Sequence, residues 1–186
     1  YKPEVRKEIR AHHSATHLLH ASLSKVLGDH VKQAGSLVQE QRLRFDYSHF
    51  EALTDDKIRA IELDSNQRVL AASDIQTEVL PFDEAKEKGA IALFGEKYGD
   101  VVRVVSMGDS VEFCGGTHSK NTKDIDIVLV SREEAIASGV RRIEAEVGQS
   151  ARERTKRTYS NLTTAAQMLN GEFAQELTKD DEPALL

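Results

Sequence analysis

Residues 13–17 read HSATH and residues 114–118 read CGGTH. Each word sets two metal-binding side chains four residues apart, His13 with His17 and Cys114 with His118. Three imidazoles and one thiolate form a donor set suited to tetrahedral zinc. The only cysteine of the chain lies in the second word. If both pairs serve one ion, the fold must join segments about a hundred residues apart. That demand constrains the architecture more than any local propensity does.

Around the first word, Ala11, Ala15, Leu18, Leu19, Ser22, Leu23, Val26 and Leu27 recur at helical spacing, and Gly28 is a natural stop. The pattern predicts a helix over 4–27. On it, His13 and His17 share a face one turn apart. GSLVQ and LRFDY, within 30–47, predict a β-hairpin. Thr54 is a plausible N-cap for a helix to about Ala72, with Ile58, Ile61, Leu63 and Leu70 as expected core positions. Strands are expected at 75–81, 101–107, 125–130 and 139–148, and a short helix at 83–89. CGGTH falls on a glycine-rich turn. REEAIAS at 132–138 reads as a solvated segment. A helix is expected over 149–170 and an acidic tail or linker over 171–186. Without a regular βαβ alternation, the class is α+β: an antiparallel sheet packed with helices. The zinc site is expected between a helix and a glycine-rich turn. Residues 1–148 are expected to form the core.

The 186 residues suffice for a real hydrophobic core. Hydrophobic residues at 39% and charged residues at 30% are ordinary for a soluble domain. No apolar run approaches the roughly 20 residues of a membrane span, and the first residues carry no secretory pattern. A single cysteine cannot form an internal disulfide, so the cytoplasm is the expected compartment. The net charge of −6 argues against coating long DNA. It does not prevent a local basic cluster from holding an RNA end.

No HExxH word supplies the glutamate of a zinc protease. No paired CxxC supports a zinc finger. His12 and His20, the neighbours of the HSATH pair, are assigned structural or supporting roles.

At these residues the chain resembles the editing domain of alanyl-tRNA synthetases and the free-standing alanyl-tRNA editing proteins. The matching words are HSATHLLHASL at 13–23, GSLV at 35–38, LRFDYSH at 43–49, KGAIALFGEKYGD at 88–100, VVRVVSMGD at 101–109, CGGTH at 114–118 and GVRRIEA at 139–145. The related threonyl word usually has Arg and Pro between Cys and His, so CGGTH favours the alanyl family. The resemblance implies hydrolysis of serine, and of glycine, wrongly esterified to the alanine tRNA. It implies zinc as cofactor and the tRNA acceptor end as partner, with no DNA and no membrane. ATP would belong only to a full-length synthetase, whose other domains are not recognisable here, and the chain is expected to be an excised fragment. One departure stands out. The family usually continues with a glycine-containing turn close to TGDIG, whereas residues 122–126 read TKDID. Lys123 and Asp126 stand where glycines are usual.

The expected nucleophile is a zinc-bound water, with no side-chain base assigned. A closed four-ligand site leaves no open position, so one ligand, with Cys114 the first suspect, must be loose or the zinc must expand its coordination. The resemblance implies that Thr16 senses the serine hydroxyl and that Gln33 belongs to the pocket. Gly115 and Gly116 allow backbone near the ligand. Arg44, Arg141 and Arg142 are candidates for the tRNA end, because guanidinium forks match phosphate oxygens. Arg141 and Arg142 should point to opposite faces of one strand, leaving one of them structural. The alternative is a non-catalytic, zinc-stabilised module that binds the acceptor end. A zinc hydrolase of small esters ranks below both.

Overall fold

The computed structural model describes residues 2–92 and 98–168. The expected tail at 171–186 lies outside the described residues, as does part of the KGAIALFGEKYGD match. The chain divides into two compact units, Tyr1–Gly148 and Gln149–Leu186. Helix α4, Gly148–Met168, starts at the last residue of the first unit and makes up the described part of the second.

The first unit opens with α1, Pro3–Leu27. Its core stripe follows the expected residues: Ala11, Ala15, Leu18, Leu19, Ser22 and Leu23 are buried. Gly28, at φ 112°, ends the helix and returns its N–H to the Ser24 carbonyl. Strands β1 (Gln33–Val38) and β2 (Leu43–Ser48) form the expected hairpin. Helix α2 spans Asp55–Leu70, capped by the Thr54 hydroxyl, which accepts from the Lys57 N–H. Then come β3 (Ile75–Pro81), α3 (Phe82–Glu87), β4 (Val101–Met107), β5 (Ser110–Phe113), a 3-10 turn at Thr122–Ile125, β6 (Val128–Ala137) and β7 (Val140–Val147).

The class is α+β, as expected, but the strands form two antiparallel sheets rather than one. Their orders are β1-β2-β7-β6 and β3-β4-β5. Leu43, Phe45, Tyr47, Ile143, Ala145 and Val147 of the first sheet join the α1 stripe in one buried core. A smaller cluster around Ala85, Val104 and Phe113 fills the second sheet.

Three expectations need correction. Leu63 and Leu70 are 61% and 80% exposed. The inward stripe of α2 is instead Ile58, Ile61, Ser65 and Val69, and Leu63 stands about 200° from Ile61 by the helical repeat. A buried polar seam occupies the α1–α2 contact. Asp64 accepts from Ser22 at 2.8 Å and from Arg68 at 2.7 Å, and pairs with Lys25. Burial pushes the Asp64 carboxyl up, but these hydrogen bonds overcome it and hold it at about 2. Second, the strand expected to end at 130 runs on through the charged stretch: Arg132–Ala137 is largely solvated, as expected, but completes β6. β6 is an edge strand, where charges deter further pairing. Third, the strand expected to start at 125 starts at Val128, because Ile125 is buried in the 3-10 turn.

That turn answers the question of the missing glycines. Lys123 sits inside the 3-10 helix, where a side chain costs nothing special. Asp126 does not: its φ is 76° and ψ −77°, and the Ile127 N–H bonds the Ile125 carbonyl at 3.1 Å. This is the γ-turn form that L residues rarely adopt. Such strain costs on the order of 1–3 kcal/mol. Asp126→Gly is therefore expected to stabilise the protein by about 1 kcal/mol, a rise of ~3 °C in Tm by calorimetry. An unchanged or lower Tm would show the turn to be relaxed.

Candidate metal centre

α1 carries one half of the site and the segment after β5 the other. His13, His17, Cys114 and His118 come together so that one donor atom from each lies within 4.8 Å of the rest. Cys114 Sγ is 3.5 Å from His13 Nε2 and 3.3 Å from His118 Nε2. Those separations match the edges of about 3.3–3.6 Å expected between N and S ligands around tetrahedral zinc. His17 Nε2 is buried with no hydrogen-bond partner among the described residues. A buried ring nitrogen left without a partner is costly unless something binds it. The donor set and that orphaned nitrogen fit a zinc ion.

The sequence analysis overlooked the groups that aim these ligands. Glu112 is 4% exposed and joins two turns of α1. Its Oε2 accepts from His17 Nδ1 at 2.9 Å, and its Oε1 accepts from His20 Nδ1 at 3.1 Å and from the Ser110 hydroxyl at 3.2 Å. The carboxylate thus fixes the His17 tautomer and leaves Nε2 facing the cluster. Ser14 does the same for His118. Its Oγ lies 3.4 Å from His118 Nδ1 and accepts the Ser119 N–H at 3.0 Å. Ser14 was visible inside HSATH, and Glu112 lies two residues before Cys114, the spacing that puts side chains on one side of a strand.

Charge follows geometry. Burial would raise the Glu112 carboxyl, but hydrogen bonds from His17 and His20 hold it at about 2. Burial would likewise raise the Cys114 thiol, but His118, His13 and His17 bring it down to about 3. Burial lowers His17, yet Cys114 and Glu112 raise it to about 9. Cys114 and Glu112 thus both favour positive charge at His17, the charge a bound metal ion would supply.

Gly116 explains why the word carries a glycine there. A Cβ at this position would lie 2.0 Å from His13 Cε1 and 2.6 Å from Nδ1. The turn backbone lies directly against the ligand ring. Gly115 has open space around it. His12 is structural: it is fully buried, with Nδ1 donating to the Glu8 carbonyl and Nε2 accepting the Val147 N–H.

The other expected site residues divide in two groups. Thr16 is buried near the cluster and its hydroxyl donates to the His12 carbonyl at 2.9 Å. Gln33 opens β1, at a bulge opposite Tyr47, and its amide reaches Ser36 Oγ. The arginines lie on the larger sheet. Arg141, on the core face, forms a forked pair with Glu133, which also accepts from the Tyr47 hydroxyl. Arg142, on the opposite face, grips Asp46 with Nε at 2.7 Å and Nη2 at 3.0 Å. The two do face apart, and both forks are occupied. Arg44 stands 3.7 Å from Asp46, and its Nε has no partner among the described residues.

The family model described as the threonyl and alanyl tRNA synthetase second additional domain matches residues 102–144, which include Glu112 and CGGTH. The alanine–tRNA ligase of Saccharophagus degradans is 49% identical over 180 residues, covering 96% of this chain and 21% of that protein. The enzyme of the same name from Sulfurovum is 52% identical over 159 residues, 85% of this chain and 19% of its own. That of Pseudomonas entomophila is 51% identical over 170 residues, 90% and 20% respectively. The chain is homologous to a segment of the alanine–tRNA ligases. It spans about a fifth of the length of these relatives. Among the described residues no helix is long and apolar enough to cross a membrane.

Two substitutions test the architecture. Gly116→Ala is expected to displace the His13 ring and weaken zinc binding more than tenfold by chelator competition, with circular dichroism unchanged. Glu112→Gln should weaken zinc by about 10–100-fold, the usual cost of losing a partner that orients a ligand. Wild-type affinity in either variant would show that the centre does not depend on these contacts.

Proposed function

We propose that the chain is the editing module of an alanyl-tRNA synthetase, hydrolysing seryl and glycyl esters of the alanine tRNA, with residues 1–148 as the working core. The observation that carries this is the convergence of three imidazoles and a thiolate in a chain homologous to alanine–tRNA ligases. His13, His17, Cys114 and His118 are the residues that would hold zinc. When bound there, zinc supplies Lewis acidity toward water and toward an ester carbonyl.

The protein's own groups do the rest. Glu112 and Ser14 keep the His17 and His118 rings aimed at the cluster. Gly116 holds the turn backbone against His13, leaving the open side at Gly115 for substrate. Thr16 donates its only proton to the His12 carbonyl, so its oxygen is free to accept from a substrate hydroxyl. Serine offers that hydroxyl and alanine does not, which is the basis of discrimination. Gln33 contributes a further polar group at the pocket edge. Arg44 pairs only loosely with Asp46, at 3.7 Å, and is the first candidate for phosphate, while Arg141 and Arg142 reach RNA only by exchanging their carboxylates.

One observation favours the alternative, a binding module without catalysis. Four protein donors fill a tetrahedral site, the pattern of structural zinc. Single-turnover deacylation of seryl- and alanyl-tRNA(Ala) separates the two. Editing predicts seryl ester loss at least tenfold faster than alanyl loss, abolished by Cys114→Ala. It further predicts that Thr16→Val stays folded and keeps zinc but loses the preference. Hydrolysis no faster than buffer, by a folded zinc-loaded sample, would establish the binding reading instead.

A further inference from the structure

Beside the metal cluster lies a cleft of about 580 Å³, lined by Arg6, Lys7, Arg10, Lys120, Asp124 and His118 among others. Arg6, Lys7 and Arg10 fall at i, i+1 and i+4 on α1, and the same helix continues through His13 to His17. None of Arg6, Arg10 and Lys120 has an ion-pair partner among the described residues, whereas every arginine on β2, β6 and β7 has one. Lys7 is partly offset by Glu8. Asp124, the one carboxylate of the lining, is committed elsewhere: its Oδ2 accepts the backbone N–H groups of Lys120 and Asn121. Arg10 Nε is buried with no acceptor. The cleft therefore offers uncompensated positive charge and a buried donor, on a chain whose net charge is −6.

We infer that this cleft is a phosphate cradle for the single-stranded 3′ end of the RNA substrate. The inference rests on the editing reading for which RNA it serves. The chemistry selects the ligand. Guanidinium forks match phosphate oxygens in a way that ammonium groups do not. Arg10 lies three residues before His13, a rise of about 4.5 Å along the helix, and Arg6 about one turn further out. The phosphodiester nearest to an aminoacyl ester is the one on the 5′ side of the terminal nucleotide. A cation row that ends at the metal donors lets the backbone enter along α1 and leaves the ester at the cluster. An acidic peptide would meet the same charges but would gain nothing from their order along a helix that ends at His13 and His118.

The test uses the full chain and an unacylated RNA hairpin carrying a single-stranded 3′ extension, so it does not depend on hydrolysis. Affinity is read by fluorescence anisotropy across a salt series. Arg6→Ala with Arg10→Ala is expected to weaken binding at least tenfold and to make the log–log salt slope shallower by about 0.7 for each arginine removed. Arg10→Lys should recover part of the affinity, and Arg59→Ala, at an exposed position of α2 outside the cleft lining, should change nothing. Zinc content and circular dichroism confirm that each variant is folded. Wild-type affinity and slope in the double variant would overturn the cradle. So would absence of measurable RNA binding by the parent chain, or equal arginine-dependent binding of a polyglutamate peptide. Arginine-dependent RNA binding by a parent chain that never deacylates would leave the cradle standing and remove the editing reading alone.

Discussion

The site depends on one buried carboxylate. Glu112 sits on a four-residue strand, 92 residues along the chain from His20, and accepts hydrogen bonds from two α1 imidazoles and a serine. A carboxylate at 4% exposure is costly unless every bond it can make is made. That cost is what ties the second sheet to α1 in one register. Slide β5 by a residue and Glu112 would turn to the opposite face, leaving both imidazoles unpaired. With Glu112 in place, Cys114 follows two residues later, close to His13. The metal donors are thus a consequence of a contact that does not itself touch the metal.

The same arrangement sets the charge at the centre. Glu112 and the Cys114 thiolate bring two negative charges to a pocket of buried imidazoles. Both anions favour positive charge at His17, which lies beside them. A divalent cation at the four donors would answer the same demand with more charge. Gly116 contributes the complementary steric condition. Only a backbone without a Cβ leaves the His13 ring where the thiolate can meet it.

Much of this was legible in the chain, because the decisive signals are periodic or local. The α1 stripe, the β1–β2 hairpin and the Thr54 cap follow from spacing and capping chemistry. The four candidate ligands, which the fold brings together, follow from two words. What was not legible depended on partners distant in sequence. Leu63 and Leu70 looked like core residues, yet α2 meets Ser22 of α1 through Asp64 and Ser65, whose polarity disguised their burial. β5 was missed because four residues between a turn and a glycine-rich word leave no periodicity to read. The second half of β6 was missed because the charges that protect an edge strand resemble those of a loop. Glu112 stood in plain view but had no meaning until its histidines were opposite it.

The placement of charge carries the argument furthest. On the larger sheet, each arginine of β2, β6 and β7 is answered by a carboxylate: Arg44 and Arg142 by Asp46, Arg132 by Glu134, Arg141 by Glu133. Pairing of this kind neutralises a surface and fixes side chains, but adds little to stability where water reaches it. On the first turns of α1 the pattern stops. Arg6 and Arg10 stand without carboxylates, although the chain has 31 acidic residues against 25 basic ones. In a chain with acid to spare, cations left unpaired beside a metal centre are not explained by a shortage of partners. Their repulsion is a standing cost to the fold, concentrated where α1 leads into the ligand cluster. A polyanion entering along that helix would relieve the repulsion. On the larger sheet the arginines are already answered by carboxylates, so the charge balance favours the approach along α1.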